Sequence, residues 1–121
     1  MTEVTEAEVR EMARQLVADV PPDQVDQFEF RGAQFDRGLA LVQFPEGLGG
    51  LGLSSRRLQT VVDGELRAAG VTYHDLNINP IGIGMGAPVV LTYASDEQKQ
   101  RLLRPMYTGE EVWCQMFSEP G

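Results

Sequence analysis

Apolar residues at the start of the chain recur at helical intervals. Val9, Met12, Ala13, Leu16 and Val20 share one face, while Glu8, Arg10, Glu11, Arg14 and Asp19 turn away. Thr5 and Glu8 have capping-box spacing, which predicts a helix start there, and Pro21 with Pro22 stops it. Residues 23–35 scatter Phe28, Phe30 and Phe35 among polar positions and are read as partly helical. Residues 38–53 carry Gly47, Gly49, Gly50 and Gly52, too dense for a helix interior, because glycine loses more backbone freedom on folding than any other residue. This stretch is predicted to be loop. Ser54 or Ser55 can then cap a helix to about Ala69, with Leu58, Val61, Val62, Leu66 and Ala69 as its apolar face and Gly70 as its stop. Glu65 falls on that same face and is read as a hydrogen-bonded structural group rather than a catalyst.

Beyond a polar connection, residues 81–94 are apolar almost all round, so a helix there is buried on every side or lines a pocket. Glycine weakens a helix by about 1 kcal/mol at each position. Gly82, Gly84 and Gly86, at alternate positions, therefore point to a need for room or for close approach of a neighbour. Ser95 with Gln98 forms a second capping box and opens a helix over residues 96–103, which Pro105 is expected to end. Residues 112–117 alternate weakly and are rich in strand formers, so they predict a β-strand. A single strand in a helical chain leaves backbone N–H and C=O groups unpaired, and calls for a sheet supplied by more chain after Gly121.

Charge and cysteine content remove several classes of function. Ten basic against eighteen acidic residues give a net charge of −8, which argues against nucleic acid and against anionic lipid, since both need a basic face. The single thiol, Cys114, forms no internal disulfide and fits a reducing, cytoplasmic setting. The N-terminus carries acids where a signal peptide needs bases, and no stretch approaches the roughly 18 apolar residues of a membrane span.

Candidate chemistry is sparse. Gly47-x-Gly49-x-x-Gly52 formally fits a dinucleotide fingerprint, with residues 39–44 as the strand and Asp75 as the ribose acid. Pro45 and Glu46 intervene, however, and the capping serines start the helix only after the last glycine, whereas pyrophosphate needs the free N–H groups of the helix. His74 is the only histidine, and no Cys or His lies at metal-ligand spacing, so no metal site is expected. Ser54, Ser55, Ser95 and Ser118 lack a nucleophile elbow and would all share that one histidine. Glu110 and Glu111 read as a solvated turn. No catalytic residue is assigned within the chain.

Three segments in series resemble the acyl-CoA dehydrogenase family. Residues 38–70 are similar to its short strand-like run, proline–acid turn, Gly-Gly-x-Gly loop and helix ending near an acid–Leu pair, matched here by Glu65 and Leu66. Residues 95–111 resemble its Gln-Lys-x-x-x-Leu-x-Pro-x-x-x-Gly-Glu run, with Gln98, Lys99, Leu103, Pro105, Gly109 and Glu110 in the matching places. Residues 113–121 are similar to the strand leading into its Thr/Ser-Glu-Pro-x-x-Gly-Ser-Asp loop, of which the first half is present.

The resemblance implies a mostly α fold: an N-terminal helical-bundle domain over residues 1–111, then one β-strand in residues 112–121 that would open a flavin-binding β-domain lying beyond the chain. It implies a parent enzyme that uses FAD to dehydrogenate an acyl-CoA thioester at its α,β carbons. The catalytic base would lie in a further C-terminal domain, electron-transfer flavoprotein would be the partner, and the parent would be a homo-oligomer. Gln115, Phe117 and Ser118 are implied to lie along the flavin, with the Ser118 hydroxyl at the isoalloxazine edge. Ile81, Gly82 and Met85 are implied to line the acyl cavity, where the glycines would leave space for a long or bulky acyl group. The 121-residue chain alone is expected to be inactive and to hold FAD weakly or not at all.

Two other classes of reading make different predictions. A stand-alone helical interaction module without catalysis would pair residues 112–117 by dimerisation. A dinucleotide-binding enzyme would change the fluorescence of NADH.

Overall fold

The computed structural model describes residues 4–72, 79 and 81–114. Five α-helices follow one another there: α1 (Glu6–Asp19), α2 (Gln27–Asp36), α3 (Arg57–Ala68), α4 (Ala87–Tyr93) and α5 (Asp96–Thr108). A π-helical turn, Gly82–Gly86, runs directly into α4. The fold is mostly helical, as the sequence indicates. Among the described residues the only β-type pairing is an isolated bridge between Glu46 and Gly50, and no helix is long and apolar enough to cross a membrane.

Two helix starts form as the capping patterns predict. The Thr5 hydroxyl accepts the Glu8 amide at 3.2 Å while the Glu8 carboxylate accepts from Thr5 in return. Ser95 and Gln98 repeat that exchange at the start of α5. The ambiguous stretch before Phe35 resolves into α2, where the Asp26 carboxylate accepts the Glu29 amide at 2.8 Å. Gly70, with φ +97°, closes α3 in a left-handed conformation that costs a glycine nothing.

Phe30 and Phe35 stand five residues apart on α2, about 140° round a helix of 3.6 residues per turn. They therefore feed two cores. Phe30 packs with Val9, Ala13 and Leu16 of α1 and with Leu58, Val62 and Leu66 of α3. Phe35 packs with Ile83, Ala87 and Val90 around the π-turn and α4, and with Leu103, Met106 and Tyr107 of α5. Residues 38–53 run between the two cores, sending Leu39, Val42 and Leu53 to the first and Ala40 to the second. Burying one large apolar side chain contributes about 1.5–3 kcal/mol, so this irregular stretch is held as firmly as a helix.

Three expectations require correction. Neither Ser54 nor Ser55 caps α3. The N-cap position is Arg56, already in helical geometry and without a side-chain cap. Pro105 does not end α5; it lies inside it. The helix continues because Leu103, Met106 and Tyr107 bury its last turns and Gly109, at φ +91°, closes it. Residues 81–94 are not buried on every side: Met85, Val89 and Tyr93 stand 48%, 56% and 83% exposed. Residues 112–114 make no β-pairing with other described residues, and residues 115–117, the rest of the predicted strand, lie outside the described residues.

Candidate functional site

The π-turn has a local cause. Pro88, the second residue of α4, has no N–H to donate, and its ring crowds the carbonyl four residues back, at Gly84. The backbone widens ahead of it, so that the Ala87 amide reaches five residues back to the Gly82 carbonyl. Gly82, Gly84 and Gly86 carry no side chains to resist that widening. Turns of this kind recur at functional sites.

The three glycines are not equivalent. A methyl group at Gly82 would collide with the Asn79 carboxamide, and one at Gly86 would come within 2.9 Å of the Trp113 ring. One at Gly84 would meet nothing within 4 Å. Close approach by a side chain thus explains two of the glycines, and open space only the middle one.

Asn79 is fully buried and makes every hydrogen bond an amide side chain can make. Its Nδ2 donates to the Met106 carbonyl and to the Glu111 carbonyl, both at 2.9 Å. Its Oδ1 accepts from the Gly82 amide at 3.2 Å and from the Trp113 amide at 3.0 Å. Two carbonyls on one side and two N–H groups on the other leave only one orientation for the amide. Its own carbonyl accepts the Ile83 amide at 2.9 Å, which starts the turn. One side chain therefore ties together the end of α5, the π-turn and the chain at Trp113.

Of the residues implied to line an acyl cavity, Gly82 is buried against Asn79, Ile81 is half-buried and Met85 is exposed. None of the three lines the small void behind them. That void, about 10 Å³, is lined by Phe35, Phe44, Ile83, Leu103 and Met106. That is about the space of one water-sized probe, too little for any acyl group. Gln115, Phe117 and Ser118, implied to lie along a flavin, fall outside the described residues, as do His74 and Asp75.

The glycine-rich loop is a packed corner. Gly49, at φ +99°, lies flat on Phe35, whose ring would be 2.6 Å from an added Cβ. The amides of Ala40 and Leu41 both donate to the Gly49 carbonyl, at 3.1 and 3.0 Å. The Gln59 side chain of α3 accepts from the Val42 amide at 2.9 Å and donates to the Leu39 carbonyl at 3.3 Å. Glu65 is structural: Arg14 of α1 donates to both of its carboxylate oxygens, at 3.3 and 3.4 Å, and Arg10 stands 3.8 Å away.

Sequence reasoning missed Asn79 and Arg31. Arg31 is buried on α2, donates through Nε to the Tyr107 carbonyl at 2.9 Å and places its guanidinium 3.8 Å from the centre of the Tyr107 ring. An arginine beside Phe30 carries no periodic signal that separates it from a solvated one. Asn79, in a polar connection, carried none either. The only available hint lay in Gly82, the glycine it presses against.

Residues 3–110 match the family described as acyl-CoA dehydrogenase, N-terminal domain. Acyl-CoA dehydrogenase FadE34 of Mycobacterium tuberculosis is 41% identical over 63 residues, covering 52% of this chain and 8% of that protein. The 3-(aryl)acrylate reductase of Clostridium sporogenes is 30% identical over 93% of this chain and 31% of its own length. Acyl-CoA dehydrogenase IpdE1 of Mycobacterium tuberculosis is 30% identical over 84% of this chain and 26% of its own length. The chain thus spans less than a third of each of these curated relatives, and no solved structure gives a significant match. With a helical fold in place and nearly its whole length matched, the chain belongs to the acyl-CoA dehydrogenase family, as an N-terminal domain of that type.

Proposed function

We propose that this chain forms one wall of an acyl and flavin site in an FAD-dependent acyl-CoA dehydrogenase that oxidises a thioester at its α,β carbons. Residues 1–111 act as the helical domain and residues 112–121 open the flavin-binding β-domain. The observation that carries this reading is the juxtaposition at the π-turn: Trp113, two residues before Gln115, packs its ring on Gly86 and is hydrogen-bonded to Asn79. On this reading, the turn that would wall the acyl group lies against Trp113, the residue that leads into the segment implied to line the flavin.

FAD, as the family's cofactor, supplies the acceptor for the substrate hydride. This chain supplies surfaces. Ile81, Gly82 and Met85 bound the acyl group, and Phe117 and Gln115 pack beside the flavin, where the Ser118 hydroxyl donates to its edge. Water is kept from the reacting carbons by the apolar outer face of the π-turn and α4. The catalytic base belongs to a further C-terminal domain, electron-transfer flavoprotein takes the electrons, and the protein assembles as a homo-oligomer or dimer through exposed surfaces. Reactive groups must be held in contact for catalysis, so the 121-residue chain alone has no dehydrogenase activity and holds FAD weakly or not at all.

The test substitutes Met85 by tryptophan in the flavin-bearing polypeptide that its source makes. Bound FAD should be unchanged, while kcat/KM should shift toward shorter acyl-CoA thioesters. An unaltered chain-length profile would remove Met85 from the acyl wall. The relative named 3-(aryl)acrylate reductase makes the reverse reaction, reduction of an aryl acrylate, the second reading for that polypeptide. Turnover only in that direction would select it.

A further inference from the structure

We propose that Asn79 is a positioning residue that locks the acyl wall and the segment leading to the flavin into one register. The proposal rests on the wall reading above and adds to it a coupling between the two halves of the site. Four hydrogen bonds carry it. Two fasten the Asn79 amide to the last turn of α5 and the chain just after it, through the Met106 and Glu111 carbonyls. The other two hold Gly82 on the acyl side and Trp113 on the flavin side through the same oxygen, Oδ1. A shift of that oxygen moves both partners.

The glycines complete the lock sterically. Gly82 admits the Asn79 carboxamide and Gly86 admits the Trp113 ring, so the turn is clasped at both ends by the two residues that Oδ1 connects. Among side chains of this length, only a carboxamide can make the set of bonds. Aspartate would set oxygen against the Met106 and Glu111 carbonyls, while serine or alanine would leave buried N–H and C=O groups unpaired. A residue that merely filled space would not need all four.

Trp113 is the only tryptophan of the 121-residue chain, so its emission reports on this point alone. Asn79→Ala should shift that emission to the red and raise its quenching by acrylamide, with the far-ultraviolet circular dichroism of the helices retained. Gly82→Ala, which displaces the Asn79 amide without deleting it, should give the same red shift. Gly84→Ala, with nothing near its added methyl, should give none. If Asn79→Ala loses its helices, Gly82→Ala decides the matter. Unchanged Trp113 emission in a folded variant overturns the clamp.

In the flavin-bearing polypeptide, Asn79→Ala should shift the visible flavin spectrum and the acyl chain-length preference together. Movement of only one of them overturns the coupling. Should the unsubstituted polypeptide hold no flavin, the wall reading falls, and the Trp113 result still decides whether Asn79 fixes the register.

Discussion

Replacing Gly50 by alanine presses a methyl group against two backbone carbonyls, those of Phe44 and Leu41. Neither is free to yield. The Phe44 carbonyl holds the Gly52 amide at 2.8 Å, and the Leu41 carbonyl holds the Phe44 amide at 2.9 Å. Relieving the overlap stretches two hydrogen bonds, about 1 kcal/mol each, and adds overpacking of about 1–3 kcal/mol, for a sum of about 3–5 kcal/mol. That is a large part of a total stability on the order of 5–15 kcal/mol.

Gly47 is the control. Its φ is +83° and nothing lies near its absent Cβ, so Gly47→Ala carries only left-handed strain, about 1–2 kcal/mol. In urea unfolding followed by circular dichroism, with m of about 1–3 kcal/mol per molar, the Gly50 variant should melt about 1–2 M earlier than the Gly47 variant. Equal midpoints would refute the reasoning. The comparison also bears on function, because glycines in a phosphate cradle stay open to a ligand. Gly49, the middle glycine of the fingerprint, is instead filled by the Phe35 ring, so NADH fluorescence should not respond to the chain.

Other expectations follow from the caps and ion pairs. Ser95→Ala should cost about 1 kcal/mol through loss of the α5 cap, whereas Ser55→Ala should stay within about 0.5 kcal/mol, since α3 has no side-chain cap; urea midpoints of the two decide it. Phe30→Ala, at a fully buried ring between α1 and α3, should lower stability by about 3–5 kcal/mol in the same assay. The Arg37 hydrogen bond, with help from Gln15, holds the Asp19 carboxyl below its ordinary 3.8. A carboxyl lowered on folding stabilises above that value and loses its contribution as the pH falls through the lowered one. Asp19→Asn should therefore melt slightly earlier than wild type near neutral pH, and the gap should close in acid. The effect is small because the group is exposed. A gap that persists in acid would contradict that assignment.

What the sequence made legible depends on how local each cause is. The capping boxes at Thr5 and Ser95 are each written in two side chains three residues apart, and both helices start as read. The stop at Gly70 is equally local. Pro105 misled because the forces that carry α5 past it come from distant packing of Met106 and Tyr107, not from the neighbours of the proline. Gly82 and Gly86 were recognised as needing explanation, and close approach was one of the two explanations weighed. Their partners, Asn79 and Trp113, lie three residues before and twenty-seven after, and only the fold brings them together. The family was legible from three short motifs, and the matched residues 3–110 cover the first two.

The most direct test of the central claim is to purify the natural polypeptide that carries this chain and add an acyl-CoA thioester without oxygen. The account predicts a flavin absorbance that bleaches as the enoyl product forms, and the Met85→Trp form should bleach fastest with shorter thioesters than the unsubstituted protein does. A polypeptide without flavin, or with a flavin that neither bleaches with any thioester nor reoxidises with an enoyl one, would contradict it.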